Sequence, residues 1–183
     1  MTPQTDLSRF DNSWYHPGPL HKRALWYMVH ALFFRSGMPV SALKVGLLRM
    51  FGSRVGKGVV IKPHVRIKYP WKLEIGDYTW IGEESWIDNL DQVSIGSHCC
   101  ISQGAMLLCG NHNYRKSAFD LMVKPITLEQ GAWVGSRATV CQGVTMASHS
   151  VLSVGSVLTR DAEPYAIYQG VPAIRVKTRE ISA

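Results

Sequence analysis

Seven histidines are the side chains in this 183-residue chain best suited to moving a proton near neutral pH. His16, His21 and His30 lie within the first 30 residues, in an N-terminal arm. His64, His98 and His149 each stand three residues after an aliphatic side chain (Ile61, Ile95 and Met146), which is a turn position with no evident task. His112 alone lies in a polar and aromatic stretch, Cys109–Lys124 (CGNHNYRKSAFDLMVK), inside Gly110-Asn111-His112-Asn113-Tyr114. An imidazole there is equipped to take a proton from a hydroxyl. Asp88 and Asn89 precede it in Ile87-Asp88-Asn89-Leu90-Asp91, either as groups facing the same cleft or as a plain turn. The four cysteines (Cys99, Cys100, Cys109, Cys141) form no C-x-x-C pair and read as reduced thiols. A three-histidine zinc site would need two histidines a few residues apart in one repeat, whereas His98 and His112 are 14 apart, so no metal is expected.

The elements that must position His112 are set by a repeat. Aliphatic residues recur every six positions at Val55, Ile61, Ile67; Ile75, Ile81, Ile87; and Ile95, Ile101, Leu107. A second run, Leu128, Val134, Val140, Met146, Leu152, Leu158, keeps the same step. Small residues follow four places later at most of these, as at Thr79, Ser85, Cys99, Ala105, Ala132 and Ala138. A period of six fits neither a helix nor simple strand alternation. It fits short strands joined by tight turns, with three hexads closing one triangular coil and stacked coils burying an aliphatic column. The first three groups start 20 residues apart (55, 75, 95), so each of the first two coils carries two residues more than three hexads. The register breaks between Leu107 and Leu128, where residues 109–124 form an insertion. A loop thrown from a rigid scaffold is where function concentrates. Asp91 takes a slot otherwise filled by a small residue, which predicts a local bulge toward the cleft.

The spacing predicts three segments: an arm with helices over 1–50, a β-helix over 51–164 of about five coils, and a basic tail over 165–183. Residues 20–34 (LHKRALWYMVHALFF) read as a helix apolar around most of its circumference, and SALKVGLLRMF after Pro39 as an amphipathic helix bearing Lys44 and Arg49. Two readings stay open: a cap on the first coil, or a contact with the membrane surface. No apolar stretch reaches the ~20 residues of a membrane span, and Met1–Gly18 lacks a secretory h-region, which predicts a cytoplasmic protein. The net charge of +7 suits phosphorylated ligands, but no basic stripe interleaved with aromatics points to nucleic acid.

The hexads, with Gly170-Val171-Pro172-Ala173 and the basic tail, resemble the hexapeptide-repeat acyltransferases over Val55 to about Lys177. The resemblance is closer to the colanic acid biosynthesis acetyltransferases. It is carried by Trp14-Tyr15-His16-Pro17-Gly18, Ala24-Leu25-Trp26-Tyr27, Ile67-Lys68-Tyr69-Pro70-Trp71 and Ile101-Ser102-Gln103-Gly104-Ala105. It implies an all-β, left-handed parallel β-helix, a homotrimer with sites between subunits, and transfer of acetyl from acetyl-coenzyme A to a sugar hydroxyl of an exopolysaccharide precursor. It implies His112 as general base, with Asp88, Asn89, Asn111 and Tyr114 toward the acceptor. The cofactor path it implies runs along Trp133, Gly135 and Ser136, then Val154 and Gly155, with Thr159, Arg160, Arg175 and Lys177 meeting the phosphates. Packing at a coil corner is the competing reading of Trp133.

Two positions depart from the pattern. Asn113 replaces an expected Asp beside the base, which moves the task of orienting His112 to another group such as a backbone carbonyl. Ile174 stands where galactoside enzymes place an arginine, with Arg175 next to it. N-acetylation of an amino sugar, serine O-acetylation, and a non-enzymatic β-helix scaffold are the alternatives weighed against sugar O-acetylation.

Overall fold

The computed structural model describes residues 2 and 4–182, and winds the hexads into a left-handed parallel β-helix of about six turns. Each turn lays one short strand on each of three faces. The first face stacks Arg54–Val55, Leu73–Ile75, Val93–Ile95, Ile126–Leu128 and Thr145–Met146. The second stacks Val60–Ile61, Trp80–Ile81, Cys100–Ile101, Trp133–Val134, Val151–Leu152 and Ala166–Gly170. The third stacks Arg66–Ile67, Trp86–Asp88, Met106–Leu108, Thr139–Cys141 and Val157–Leu158. All pairs within these stacks are parallel and in register, as in Ile61↔Ile81 and Ile87↔Leu107.

The hexad aliphatics point inward and are almost all buried, with Ile61, Ile81, Ile87, Leu107, Val134 and Met146 at 0% exposure. Each such side chain contributes roughly 1.5–3 kcal/mol relative to exposure. The small residues between them fill the corners: Thr79, Ser85, Ser150 and Ser156 are buried beside Ala105, Ala132 and Ala138. Coils approach so closely that a Cβ on Gly76 would lie 2.4 Å from the Ser97 amide nitrogen. His64, His98 and His149, which had no evident task, hold left-handed turn positions at φ 57–60°. The His98 ring stacks on Tyr78 at 5.4 Å and the His149 ring on Tyr165 at 4.7 Å. Their work is structural.

The two extra residues per coil all leave the helix at one corner, after the third face. There 68–72, 88–92 and the long insertion stack one above another, because Asp88 stands opposite Leu108 in the ladder and Leu108 opposite Cys141. Beyond the insertion the step of six returns and Gly143 packs tightly against Lys124. The sequence thus delivers its irregular residues to a single edge of the prism.

The tail departs from expectation. Ala166–Gly170 continues the second face against Val151–Leu152, and Ala173–Thr178 folds back antiparallel on it. The coil therefore runs past residue 164, and the basic tail is built as a hairpin on the second face. No hexad marks it, since its last strand pairs antiparallel.

Helix α1 (Leu20–Val29), a following π turn (His30–Phe34) and helix α2 (Ser41–Met50) close the first coil. Trp26, Phe34, Leu48 and Phe51 join the core, and Trp26 Nε1–H donates to the Ile67 carbonyl at 3.0 Å. Phe33 is half-buried. Lys44, borne by the amphipathic helix α2, is fully buried and donates to the Lys62 carbonyl at 2.8 Å. Arg49 donates to the Val55 and Gly56 carbonyls. Both cations thus satisfy orphan carbonyls at the open end of the β-helix. This is the cap. Among the described residues no helix is long and apolar enough to cross a membrane.

His30 belongs to the same cap. Its Nε2 accepts the Ile67 N–H at 3.0 Å, and burial first, then the Arg35 charge, push its pKa from 6.5 down to about 4. The unfolded chain takes up this proton near pH 6.5, the folded chain only near 4. The contribution is therefore whole above pH 6.5 and is lost as pH falls toward 4, by roughly 3 kcal/mol. His30→Gln retains an oxygen to accept the Ile67 N–H. It should flatten that part of the stability–pH curve in urea unfolding between pH 7 and 4, and an unchanged slope would contradict a neutral, buried His30.

Candidate active site

The insertion is itself ordered. Gly110–His112 and Leu121–Val123 pair antiparallel, with His112 opposite Leu121. The hairpin tip is closed by the Asn113 N–H donating to the Asp120 carbonyl at 2.9 Å and by a Lys116–Asp120 ion pair at 2.9 Å. Phe119 takes a left-handed φ of +52°, unfavourable for a bulky residue. That conformation accompanies two contacts to His112. The Phe119 ring stacks on the His112 imidazole at 4.4 Å and 7°, and its carbonyl lies 2.9 Å from His112 Nδ1. With Nδ1–H donating to this carbonyl, Nε2 carries the lone pair. The backbone carbonyl thus takes the place of a neighbouring carboxylate, while Asn113 Oδ1 accepts from the Arg115 N–H instead.

His112 lines a cleft of about 770 Å³ at the irregular corner, with Asp88, Lys68, Tyr69, Leu90, Gly110, Asn111 and Leu121. Asp88 presents its carboxylate here. Its Oδ1 is buried and 2.9 Å from Lys68 Nζ, an ion pair outside directed hydrogen-bond geometry that leaves the oxygen without a formal donor. Asn111 is exposed at the rim, its Oδ1 accepting the His112 N–H at 2.8 Å.

Two expected acceptor residues are not in the cleft. Asn89 is fully buried, its Oδ1 accepting from the Lys68 and Tyr69 N–H groups and its Nδ2 donating to the Tyr69 and Lys72 carbonyls. Every bond it can make is committed to tying one extra turn to the next. Tyr114 is 74% exposed at the hairpin tip, outside the cleft lining. Asp91 does mark the bulge, but its Oδ1 accepts from the Gln92 N–H, and Asn89 and Leu90 fill the buried corner. Cys109 lies buried beneath the corner, where burial pushes its thiol pKa up to about 12, so it stays protonated and unreactive.

The N-terminal arm is the part of the site that sequence reasoning missed. Phe10, Asn12, Ser13, Tyr15, Pro17 and Arg23 line the other side of the cleft. Tyr15 Oη–H donates to the Leu90 carbonyl at 2.6 Å, an oxygen also bound by Lys72 Nζ. Trp71 Nε1–H donates to the Pro17 carbonyl at 3.1 Å, and the Asp6 N–H to the Ser117 carbonyl at 2.8 Å on the hairpin. Phe10 reaches the catalytic candidate itself, its ring 5.6 Å from that of His112. The signal was present in Tyr15-His16-Pro17-Gly18 and Tyr69-Pro70-Trp71, two aromatic motifs that meet in space.

The expected cofactor residues lie elsewhere on the chain. Trp133 is exposed on the second face, its Nε1–H donating to Ser102 Oγ at 2.9 Å. Gly135 is buried where a Cβ would meet the Leu152 carbonyl oxygen at 2.7 Å, so coil stacking alone demands glycine. Ser136, paired with Gln103 at 3.2 Å, and the exposed Val154 and Gly155 follow on the next corner. Thr159 and Arg160 are exposed after the third face, Arg175 is ion-paired with Glu163 at 2.9 Å, and Lys177 is exposed on the terminal hairpin. None of them lines the His112 cleft. Among the described residues no three His, Cys, Asp or Glu side chains gather as a metal site.

Comparison with known proteins fits this architecture. No family model matches the chain. It is 34% identical over 176 residues to WcaF of Escherichia coli, by name an acetyltransferase of colanic acid biosynthesis, covering 95% of this chain and 97% of that one. The galactoside O-acetyltransferase of the same organism is 28% identical over 130 residues, 69% of this chain and 64% of the relative. Among solved structures, the hexapeptide-repeat acetyltransferase VCA0836 of Vibrio cholerae superposes with a TM-score of 0.79 at 23% identity, over 88% of this chain and 92% of that one. A galactoside acetyltransferase in complex with coenzyme A superposes at 0.77 and 24% identity, over 87% and 82%. The full-length match to WcaF, together with the hexad helix and its histidine-bearing insertion, makes this chain a member of the hexapeptide-repeat acetyltransferase family.

Proposed function

We propose that the protein transfers the acetyl group of acetyl-coenzyme A to a sugar hydroxyl of an exopolysaccharide precursor, with His112 as general base. The observation that carries this reading is the 2.9 Å contact from His112 Nδ1 to the Phe119 carbonyl, which in the neutral ring puts the lone pair on Nε2, in a cleft that also holds Asp88. The kinship with enzymes named for colanic acid and galactoside acetylation supports the sugar acceptor.

In this mechanism Nε2 removes the acceptor hydroxyl proton as the oxygen attacks the thioester carbonyl carbon. The tetrahedral intermediate collapses with cleavage of the C–S bond, and the imidazolium returns the proton to the coenzyme A sulfur. Asp88 accepts a hydrogen bond from the acceptor and Asn111 contacts it at the rim. Stacking on Phe119 and the bond to its carbonyl hold the imidazole in the attacking tautomer without a carboxylate partner. His112→Ala should lower kcat by about 100- to 10,000-fold. Asn113→Asp should change it less than about threefold, since Nδ1 already has its acceptor. Steady-state assay of coenzyme A release with a sugar acceptor measures both, and near-normal activity in His112→Ala would falsify this mechanism.

The cofactor path is assigned to Trp133, Gly135, Ser136, Val154, Gly155, Thr159, Arg160, Arg175 and Lys177. Because none of these residues lines the cleft of the same chain, the reading favours a closed homotrimer in which the groove of one subunit faces His112 of the next. The second face supports an interface, for it exposes Trp80 and Trp133, whereas the first face presents polar Arg54, Glu74, Ser94 and Thr127 outward. Mixed trimers of His112→Ala subunits with subunits blocked by Ser136→Trp should recover part of the activity that each parent lacks. Exchanged trimers that stay inactive would place base and cofactor within one chain.

A further inference from the structure

A second chamber, of about 490 Å³, lies between α1 and the third face. It meets the His112 cleft at Arg23, Lys68, Tyr69 and Asp88, which line both. Its remaining walls are unlike the cleft. Leu20, Ala24, Tyr27 and Trp86 give an apolar surface, and Arg35 and Arg66 join Arg23 at its edge. Lys68 is neutralised by Asp88 at 2.9 Å, but among the described residues Arg23, Arg35 and Arg66 are paired with no carboxylate. Arg66 instead lies over the Trp86 ring, 4.9 Å from its centroid. Arg35 and Arg66 also border a further hollow with His64 and Glu84, so Arg23 stands at the end shared with the His112 cleft and the other two guanidiniums at the opposite end. His30, in the same wall, has its pKa lowered by burial first and then by the Arg35 and Arg66 charges.

Unpaired guanidiniums around a partly apolar chamber are a trap for an oxyanion. Arginine offers a planar fork of donors that matches phosphate and carboxylate, and low-dielectric walls strengthen the attraction. We propose that this chamber is an oxyanion subsite: it takes a phosphate or carboxylate carried by the acceptor beyond the sugar whose hydroxyl faces His112, with Arg23, Arg35 and Arg66 as donors. The acceptor is then an acidic sugar derivative rather than a neutral free sugar. This rests on reading the His112 cleft as the acceptor site.

Direct binding tests the subsite without the chemistry. Inorganic pyrophosphate and glucuronic acid are each titrated calorimetrically into the whole protein, with coenzyme A saturating so that its own phosphate contacts are filled. At least one probe should bind at one site per chain, and the tighter one names the oxyanion. Arg23→Gln and Arg66→Gln should each weaken it by about tenfold or more, while Arg54→Gln, on the first face, leaves it unchanged. Thermal unfolding confirms that each variant folds, and Arg35→Gln replaces any that does not. Absence of binding by both probes, binding insensitive to the three chamber arginines, or binding abolished by coenzyme A overturns the proposal. An inactive protein that still binds would sink the acceptor reading alone, and an active one that binds neither probe would sink only the subsite.

Discussion

Register between coils is the constraint on which everything else depends. Each strand is only two or three residues long for most of the helix, so no strand is stable alone, and the fold exists through backbone bonds between turns such as Gly76 N–H to the Ile95 carbonyl at 2.7 Å. Those bonds require every turn to superpose on the last, and the glycines at 76, 82, 96 and 135 allow backbones to approach within a distance no Cβ would tolerate. Surplus residues can leave only at a corner, and each coil must use the same corner if the ladders above are to stay aligned. The stack of 68–72, 88–92 and the hairpin insertion is the outcome. Buried Asn89, bonded to Lys68, Tyr69 and Lys72, holds the first two of these turns together.

On that foundation His112, the proposed base, is placed by backbone rather than by charge. The hairpin Gly110–His112/Leu121–Val123 grows directly from the third face, so His112 inherits the rigidity of the helix through a short antiparallel ladder. Phe119, bent into a left-handed conformation, returns both its ring and its carbonyl to the imidazole. The arm then closes the opposite side through Tyr15 and Phe10. The arm also leads into the capping helices, so the His112 cleft and the chamber beneath α1 share Arg23, Lys68 and Tyr69 as common walls.

How much of this could be read from the residues depends on whether side-chain type carries the signal. The hexads survive in the sequence because each inward slot accepts only aliphatic or small residues, and His112 stood out because it sits where that pattern fails. Phe119's role did not, since any residue supplies a carbonyl and only its left-handed φ aims it. The arm's motifs were legible but their pairing was not, because its contacts are non-local, Tyr15 to Leu90 spanning 75 residues. Asn89 was open to two readings, because an amide beside a cleft is as good at sealing a turn as at holding a sugar, and its bonds are those of the turn. Lys44 could not be placed from its type: its aliphatic stem lets it enter the core while its amine satisfies the Lys62 carbonyl. The terminal hairpin kept no hexad, because its return strand runs antiparallel and has no coil to close.

The central claim is that the Phe119 carbonyl fixes which nitrogen of the neutral His112 ring carries the proton. Nitrogen-15 NMR of the imidazole in the trimeric or monomeric protein near pH 8 reads this directly. The account predicts a protonated, pyrrole-type Nδ1 and an unprotonated, pyridine-type Nε2 for His112, unchanged in Asn113→Asp. A His112 signal with the proton on Nε2 would contradict it, for the nitrogen facing the cleft would then have no lone pair with which to take a proton.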